Sequence, residues 1–450
     1  MFKIDRSSGN IGRKPKSLSE HNFTSNMKLD KILVTDDHTN SSIKVIKEII
    51  QSRNQEEAFY VLDVGDVVKK HRTWLSMMPR VEPHFAIKCN PDPTVIKVLA
   101  TLNASFDCAS QGEIEQVLAA GVSADRIIFA NTVKIHSHIR YAWQMGVKNM
   151  TVDGVEELYK IKSIFPEANV IIRYRCDAKI AGVELGSKHG CDVTKEAPEL
   201  IRLVKSLGLN LHGFSFHVGS QCGETAAYSR GIRLALDLIK YAESLGIENV
   251  KLIDIGGGFP GETGFSIDAF ADDINKALET VDPSIRVISE PGRYYVGSAF
   301  TLASLVFGKR SIPEEKTTRH MYYMNDGVFG SFLDSIIAKP NRQLTLLIKP
   351  ATEEILYPST IWGPTLDTND CVIPDQLLPE LHIGDWLIWP NMGAYTLSLG
   401  GNFNGLPLPA VYSYIKRNVW NSLNIERDAS EKNETILKTE NNERMREKEK

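Results

Sequence analysis

No apolar run in this 450-residue chain reaches membrane-spanning length, and its first residues, MFKIDRSSGNIGRKPKSLSEHNF, are charged and polar where a secretory leader needs an apolar stretch. Basic clusters are missing as well. Fifty-two basic side chains stand against 56 acidic ones, a formal charge of −4, and no extended basic run offers a surface to nucleic acid or to an anionic membrane. Cysteine is sparse: Cys89, Cys108, Cys176, Cys191, Cys222 and Cys371 form no CxxC pair and no Cys/His group at metal-ligand spacing. No metal site is therefore expected, and a reducing compartment fits. Together these absences point to a cytoplasmic protein whose partners are small molecules. What the chain does have is an apolar fraction of 42%, enough for a substantial core, and length for two domains.

Between about Arg80 and Gly297 one unit recurs, a short β-branched or aromatic run followed by a loop and a segment of helical period. The runs are HFAIKCN, ASFDCAS, RIIFANT, NMTVD, NVIIRYR, LHGFSFHVG, VKLIDIGGG and IRVISEPG, each the pattern of a buried parallel strand. In GIRLALDLIKYAESLG, the residues Ile232, Ala235, Leu236, Ile239 and Ala242 share a helical face, with Gly246 as the stop. Eight alternations predict an α/β fold, a (β/α)8 barrel over 64–299. After Gly297 the runs SAFTLASLVFGKRS, RHMYYMND, GDWLIWPNMGAYTLS and PAVYSYIKR predict a C-terminal β-sandwich or barrel domain over 300–424, completed by 31–63, which includes AFYVLDVGDV. Residues 1–30 and the charged tail 425–450 read as mobile ends.

In such a barrel the reactive side chains gather at the C-terminal ends of the strands. Those ends present Lys88, Asp107, Asn131, Asp153, Arg173, His217, Gly256-Gly257-Gly258, and Glu290 with Arg293. Pyridoxal 5′-phosphate (PLP) uses most of this inventory: an amine for its aldehyde, a carboxylate against its pyridine nitrogen, and a cradle for its phosphate. Lys88, Glu290 and the glycine turn supply these in order, Arg293 adds a charge-assisted contact, and His217 offers a flat ring to lie against the cofactor. Each residue also has a plain reading. A triple glycine can be a flexible turn, a strand-end lysine can be solvated, His217 can be a satisfied core histidine, and Arg173 can pair with Asp153 or Asp107. Their joint occurrence at strand ends favours the cofactor.

The segments FAIKCN, FDCAS, SFHVGS, LIDIGGGFPG, EPGRYYV, MNDGVFGSF, IWGPT and NMGAYT, in this order over roughly Ala58 to Lys416, resemble the eukaryotic ornithine decarboxylases. The resemblance implies a PLP-dependent decarboxylase with an alanine-racemase-like barrel and a C-terminal β domain, working as a head-to-tail homodimer with shared active sites. It aligns Lys88 with the family's Schiff-base lysine, His217 with the ring stacked on the cofactor and Glu290 with the pyridine carboxylate. Asp107 and Arg173 align with supporting residues, and Ser220, Gly256, Gly257, Gly258, Arg293 and Tyr395 with phosphate contacts.

The substrate side departs from the family. Where the family has a Cys-Asp pair reaching across the dimer, the cysteine guiding carbanion protonation, this chain has Leu366-Asp367. The family's second substrate carboxylate, in a Tyr-Asp pair after GSF, is replaced by Ile337-Ala338, with Asp334 as the nearby alternative and Asp367 left as amine partner. Leucine has no proton to give, so slow or altered chemistry is expected. Three functions compete: decarboxylation of ornithine to putrescine for polyamine synthesis, regulation of the antizyme-inhibitor kind through binding antizyme, and decarboxylation of lysine or a neutral amino acid. The intact cofactor set favours an enzyme.

Overall fold

Eight parallel strands close into a ring in the computed structural model, which describes residues 32–37, 41–248, 250–337, 342–348 and 355–423. In chain order they are Val81–Ala86, Ser105–Cys108, Ile127–Phe129, Asn149–Val152, Asn169–Arg173, Asn210–Ser215, Leu252–Asp254 and Arg286–Ser289. Each pairs with the next, and the eighth returns to pair with the first, Val287 opposite Val81. All eight predicted runs are strands of this barrel.

The alternation of side chains along these strands divides the interior into two compartments. Ile127, Phe129, Val170, Ile172, Ile253 and Val287 belong to the large core between strands and helices, whereas Ile128, Ile171, Leu252 and Ile288 form a separate cluster inside the ring. The same parity places Asp107, between outward Phe106 and Cys108, and Asp254, after outward Ile253, on inward positions. Two inward carboxyls are thus built into the pleat.

The outer helices follow their capping signals. Pro93–Thr101 starts on Asp92, whose side chain accepts the N–H groups of Thr94 and Val95, and Gln111–Ala119 starts on Ser110. The helix Ala226–Ser244 buries Ile232, Ala235, Leu238, Ile239 and Ala242, and Gly246 takes a left-handed φ of 75° just beyond it. Leu236, expected on the buried face, is only partly covered and Leu238 takes its place, a shift within the width of the apolar stripe.

The second body is a nine-stranded mixed sheet ordered Leu33–Thr35, Ala410–Lys416, Phe59–Asp63, Phe300–Pro313, Thr318–Met324, Leu356–Trp362 and Cys371–Pro379, with Trp386–Trp389 also paired to Phe300–Pro313 and Thr345–Leu346 paired in turn to Trp386–Trp389. The helix Ser42–Arg53 covers it through Val45, Ile46 and Ile49, packed with Phe59, Trp386 and Tyr414. Neither this helix nor the hairpin of Leu356–Trp362 and Cys371–Pro379 stands out in the sequence. The loop after Trp389 docks on the barrel: Asn90 donates through Nδ2 to the Gly393 carbonyl at 2.8 Å, and the Tyr395 N–H donates to the Cys89 carbonyl at 3.0 Å. The ends 1–30 and 425–450, and Ala338, lie outside the described residues.

Candidate active site

The ring's parallel order brings every predicted strand-end residue to one rim. Lys88 sits in the 3-10 turn Ile87–Cys89 directly after the first strand; its side chain is 39% accessible, while its neighbours in the turn are buried. Its Nζ is ion-paired and hydrogen-bonded with Oδ2 of Asp107 on the second strand. Glu290 follows the eighth strand, which adjoins the first, so lysine and glutamate stand on neighbouring staves. Arg173 ends the fifth strand and forms no ion pair among the described residues, because Asp107 is taken by Lys88 and Asp153 accepts the Gly190 N–H at 2.9 Å. Asp153 and Asn131, whose Nδ2 donates to the Ala109 carbonyl, hold loops.

Burial and like charge set the electrostatics. Desolvation opposes the charge on Lys88, but Asp107, Glu290 and Tyr395 outweigh it and hold the ammonium above its ordinary range. Glu290 is pushed well up by burial and then by Asp107 and Asp254, with Lys88 and Arg173 pulling against them. Asp254 is raised to about 7, mainly by burial, the Gly256 N–H and the Glu290 carboxyl offsetting part of the cost. His217 is driven well down by burial and by Arg173, Lys88 and His189, so its imidazole is neutral; its Nδ1 accepts the Gly219 N–H at 3.0 Å. The rim therefore combines a charged amine, a carboxyl prone to keep its proton and an uncharged ring.

Beside this group lie donors without protein acceptors. The Gly257 and Gly258 N–H groups donate to no protein acceptor among the described residues, and the buried Nε of Arg293 has no partner. The Arg293 guanidinium lies over the Tyr395 ring, 5.4 Å from its centroid, and Tyr395 holds a left-handed φ of 56°. Ser220 starts the short strand Ser220–Cys222, paired with Ala181–Val183. The glycines themselves are required by backbone packing: a Cβ at Gly256 would overlap the Phe216 carbonyl, at Gly257 that of Glu290, and at Gly258 that of Gly219.

Asp367 is not brought to this rim. It lies in the turn between Leu356–Trp362 and Cys371–Pro379, where its Oδ1 accepts the N–H and the side-chain amide of Asn369, and the adjacent Leu366 is 92% exposed. Asp334 is buried and ion-paired with Arg342, although its Oδ1 has no partner. Two residues of the site went unread in the sequence. Asp254 was visible as an acid inside the apolar run LIDIG, whereas Glu262, which accepts from Arg293 Nη1 at 3.2 Å, is marked by no local pattern.

Comparison with known proteins agrees with this geometry. Residues 64–297 match the family described as pyridoxal-dependent decarboxylase, pyridoxal binding domain. The chain is 42% identical to ornithine decarboxylase 2 of Drosophila melanogaster over 371 residues, 81% of this chain and 94% of that protein. It is 40% identical to antizyme inhibitor 2 of Xenopus laevis, covering 85% of this chain and 86% of that one. Among solved structures, the arginine decarboxylase of Paramecium bursaria Chlorella virus superposes with a TM-score of 0.79 at 35% identity, over 82% of this chain and all of that one.

Proposed function

Since the chain belongs to the eukaryotic ornithine decarboxylase family of PLP-dependent carboxy-lyases, we propose that its rim binds PLP and releases CO2 from L-ornithine, giving putrescine for polyamine synthesis. The observation that carries this reading is the convergence of Lys88, Glu290 and an unfilled set of anion donors on one rim of the ring. The residues fit the cofactor. Asp107 Oδ1 and Arg293 Nε are buried without protein partners, as polar atoms facing a polar ligand would be.

When bound, PLP supplies an aldehyde carbon for amines and a protonated ring that draws off the electron pair left by departing CO2. The protein does the rest. Lys88 would be the amine that holds the aldehyde, and Asp107 orients it. Glu290, with its raised pKa, holds a proton for the ring nitrogen, and Asp254 stands behind it. Neutral His217 would offer its flat ring to the cofactor without competing for that proton, and Arg173 would balance the acids. Ser220, Gly256, Gly257, Gly258, Arg293 and Tyr395 grip the phosphate, Gly256 through its turn geometry because its own N–H is spent on Asp254.

The substrate's distal amine falls to Asp367. Because Asp367 and exposed Leu366 stand away from the rim in one chain, the reading includes a homodimer in which this turn enters a second copy's site. Leu366 has no proton to give where the family has cysteine, so the Lys88 ammonium would be the remaining proton source and turnover would be slow. A cytoplasmic location accords with the absence, among the described residues, of a helix long and apolar enough to cross a membrane. The likeness to an antizyme inhibitor, together with Leu366, supports a second reading, a regulator that binds antizyme.

One experiment separates the readings. The purified chain is loaded with PLP, its visible absorbance recorded, and CO2 trapped from carboxyl-labelled ornithine, lysine, arginine and leucine. Release from ornithine alone supports the main reading, release from another amino acid gives the substrate, and a coloured chain inert to all four supports the regulator. Lys88→Ala should abolish the absorbance; an unchanged spectrum would place the cofactor elsewhere.

A further inference from the structure

The anion cradle already contains an anion of the protein's own. Glu262, in the loop after the seventh strand, accepts from three donors: Arg293 Nη1 at 3.2 Å, Gln221 Nε2 at 3.2 Å and the Gly261 N–H at 2.9 Å. These come from different walls of the cradle. Arg293 is the predicted phosphate cation, and Gln221 directly follows Ser220, with a left-handed φ of 53°. The carboxylate is about one-third exposed and is held below its ordinary pKa by Arg293 and the Gly261 N–H against the cost of burial.

The charge count makes this arrangement consequential. Lys70, a second cation behind the loop, is engaged by Asp66 at 3.4 Å, by the Gly261 carbonyl at 2.7 Å and by Ser298 Oγ at 2.6 Å. Arg293 keeps an edge open for a phosphate: Glu262 has taken one side of it while Nε remains unpartnered among the described residues. A phosphate dianion arriving at that free edge shares one guanidinium with a carboxylate of like sign, at separations where such repulsion is large and weakly screened.

We propose that Glu262 is a resident counter-anion of the phosphate cradle, a positioning residue that neutralises Arg293 in the cofactor-free chain and weakens retention of the phosphorylated cofactor by sharing that cation with it. The inference rests on the cofactor reading above. Glu262→Gln removes the charge and keeps one acceptor oxygen for Arg293 and Gln221, at the cost of the Gly261 N–H contact.

The test titrates the cofactor-free full chain and its E262Q variant with PLP and, in parallel, with pyridoxal, which lacks the phosphate, following visible absorbance. Inorganic phosphate is titrated separately against the thermal midpoint of both. E262Q should bind PLP about tenfold more tightly, bind pyridoxal as the parent does, and gain a larger thermal shift from phosphate. Unchanged or weaker PLP binding, or an equal gain for pyridoxal, overturns the proposal while leaving the functional reading intact. If neither chain binds PLP the functional reading fails, and the phosphate arm still decides the role of Glu262: an equal shift in both chains overturns it.

Discussion

Asp254 and Glu290 lie buried together under the rim, and both carboxyls titrate above their ordinary range. In the folded, cofactor-free chain they keep protons that the unfolded chain gives up near pH 4. Between about pH 4 and about 7 the native state therefore binds more protons than the unfolded state, and stability falls as pH rises, by about 1.4 kcal/mol per pH unit for each proton held. The thermal midpoint of the cofactor-free protein should drop from pH 5 to pH 7.5. Asp254→Asn, which has nothing to ionise, should flatten that slope; an equally steep slope would show that these acids do not govern it. At the substrate side, on the proposed reading, Leu366→Cys would supply a proton donor. It should raise the ratio of amine to misprotonated carbonyl by-product on the order of tenfold or more, measured by chromatography of the products.

At the scale of elements, the contact between the loop after Trp389 and the barrel is backbone against backbone. The Gly393 N–H donates to the Gly297 carbonyl, and a Cβ at Gly393 would collide with the Val296 carbonyl and the Phe300 ring. Gly393→Ala should lift this loop, with Tyr395 on it, at a cost on the order of 2–4 kcal/mol. Gly405→Ala, where φ is 74° but no neighbour lies within 4 Å, should cost only about 1 kcal/mol. Calorimetry of both variants checks the contrast. The same distinction explains what could be read from sequence. The barrel was legible because eight apolar runs must alternate with helices to bury both faces of a parallel sheet, and the rim residues because those runs end on them. The hairpin of Leu356–Trp362 and Cys371–Pro379 was not, since LYPSTIW and CVIPDQLLP carry prolines and broken alternation, and their pairing depends on Thr318–Met324 as a template. Glu262 was invisible for a related reason: its donors, Gln221 and Arg293, come from distant segments that only the closed ring brings together.

For the molecule as a whole, one group of the apolar side chains left in the open lies where a second copy is proposed to dock. Leu366, Phe403, Leu406 and Leu408 are all substantially exposed, and Phe403 and Leu406 line one small cleft with Pro364, beside Leu366. Light scattering should give about twice the 50.3 kDa chain mass, and Leu366→Glu should shift that mass toward the single chain; a monomer at micromolar concentration would leave Asp367 without a site to serve. The way the barrel shuts has its own consequence for biogenesis. Because the stave carrying Lys88 is translated first and the one carrying Glu290 last, a ribosome-bound chain stalled before its eighth stave emerges owns an amine but no opposing acid. On the proposed reading, capture of the vitamin-derived cofactor would then wait for a completed cylinder.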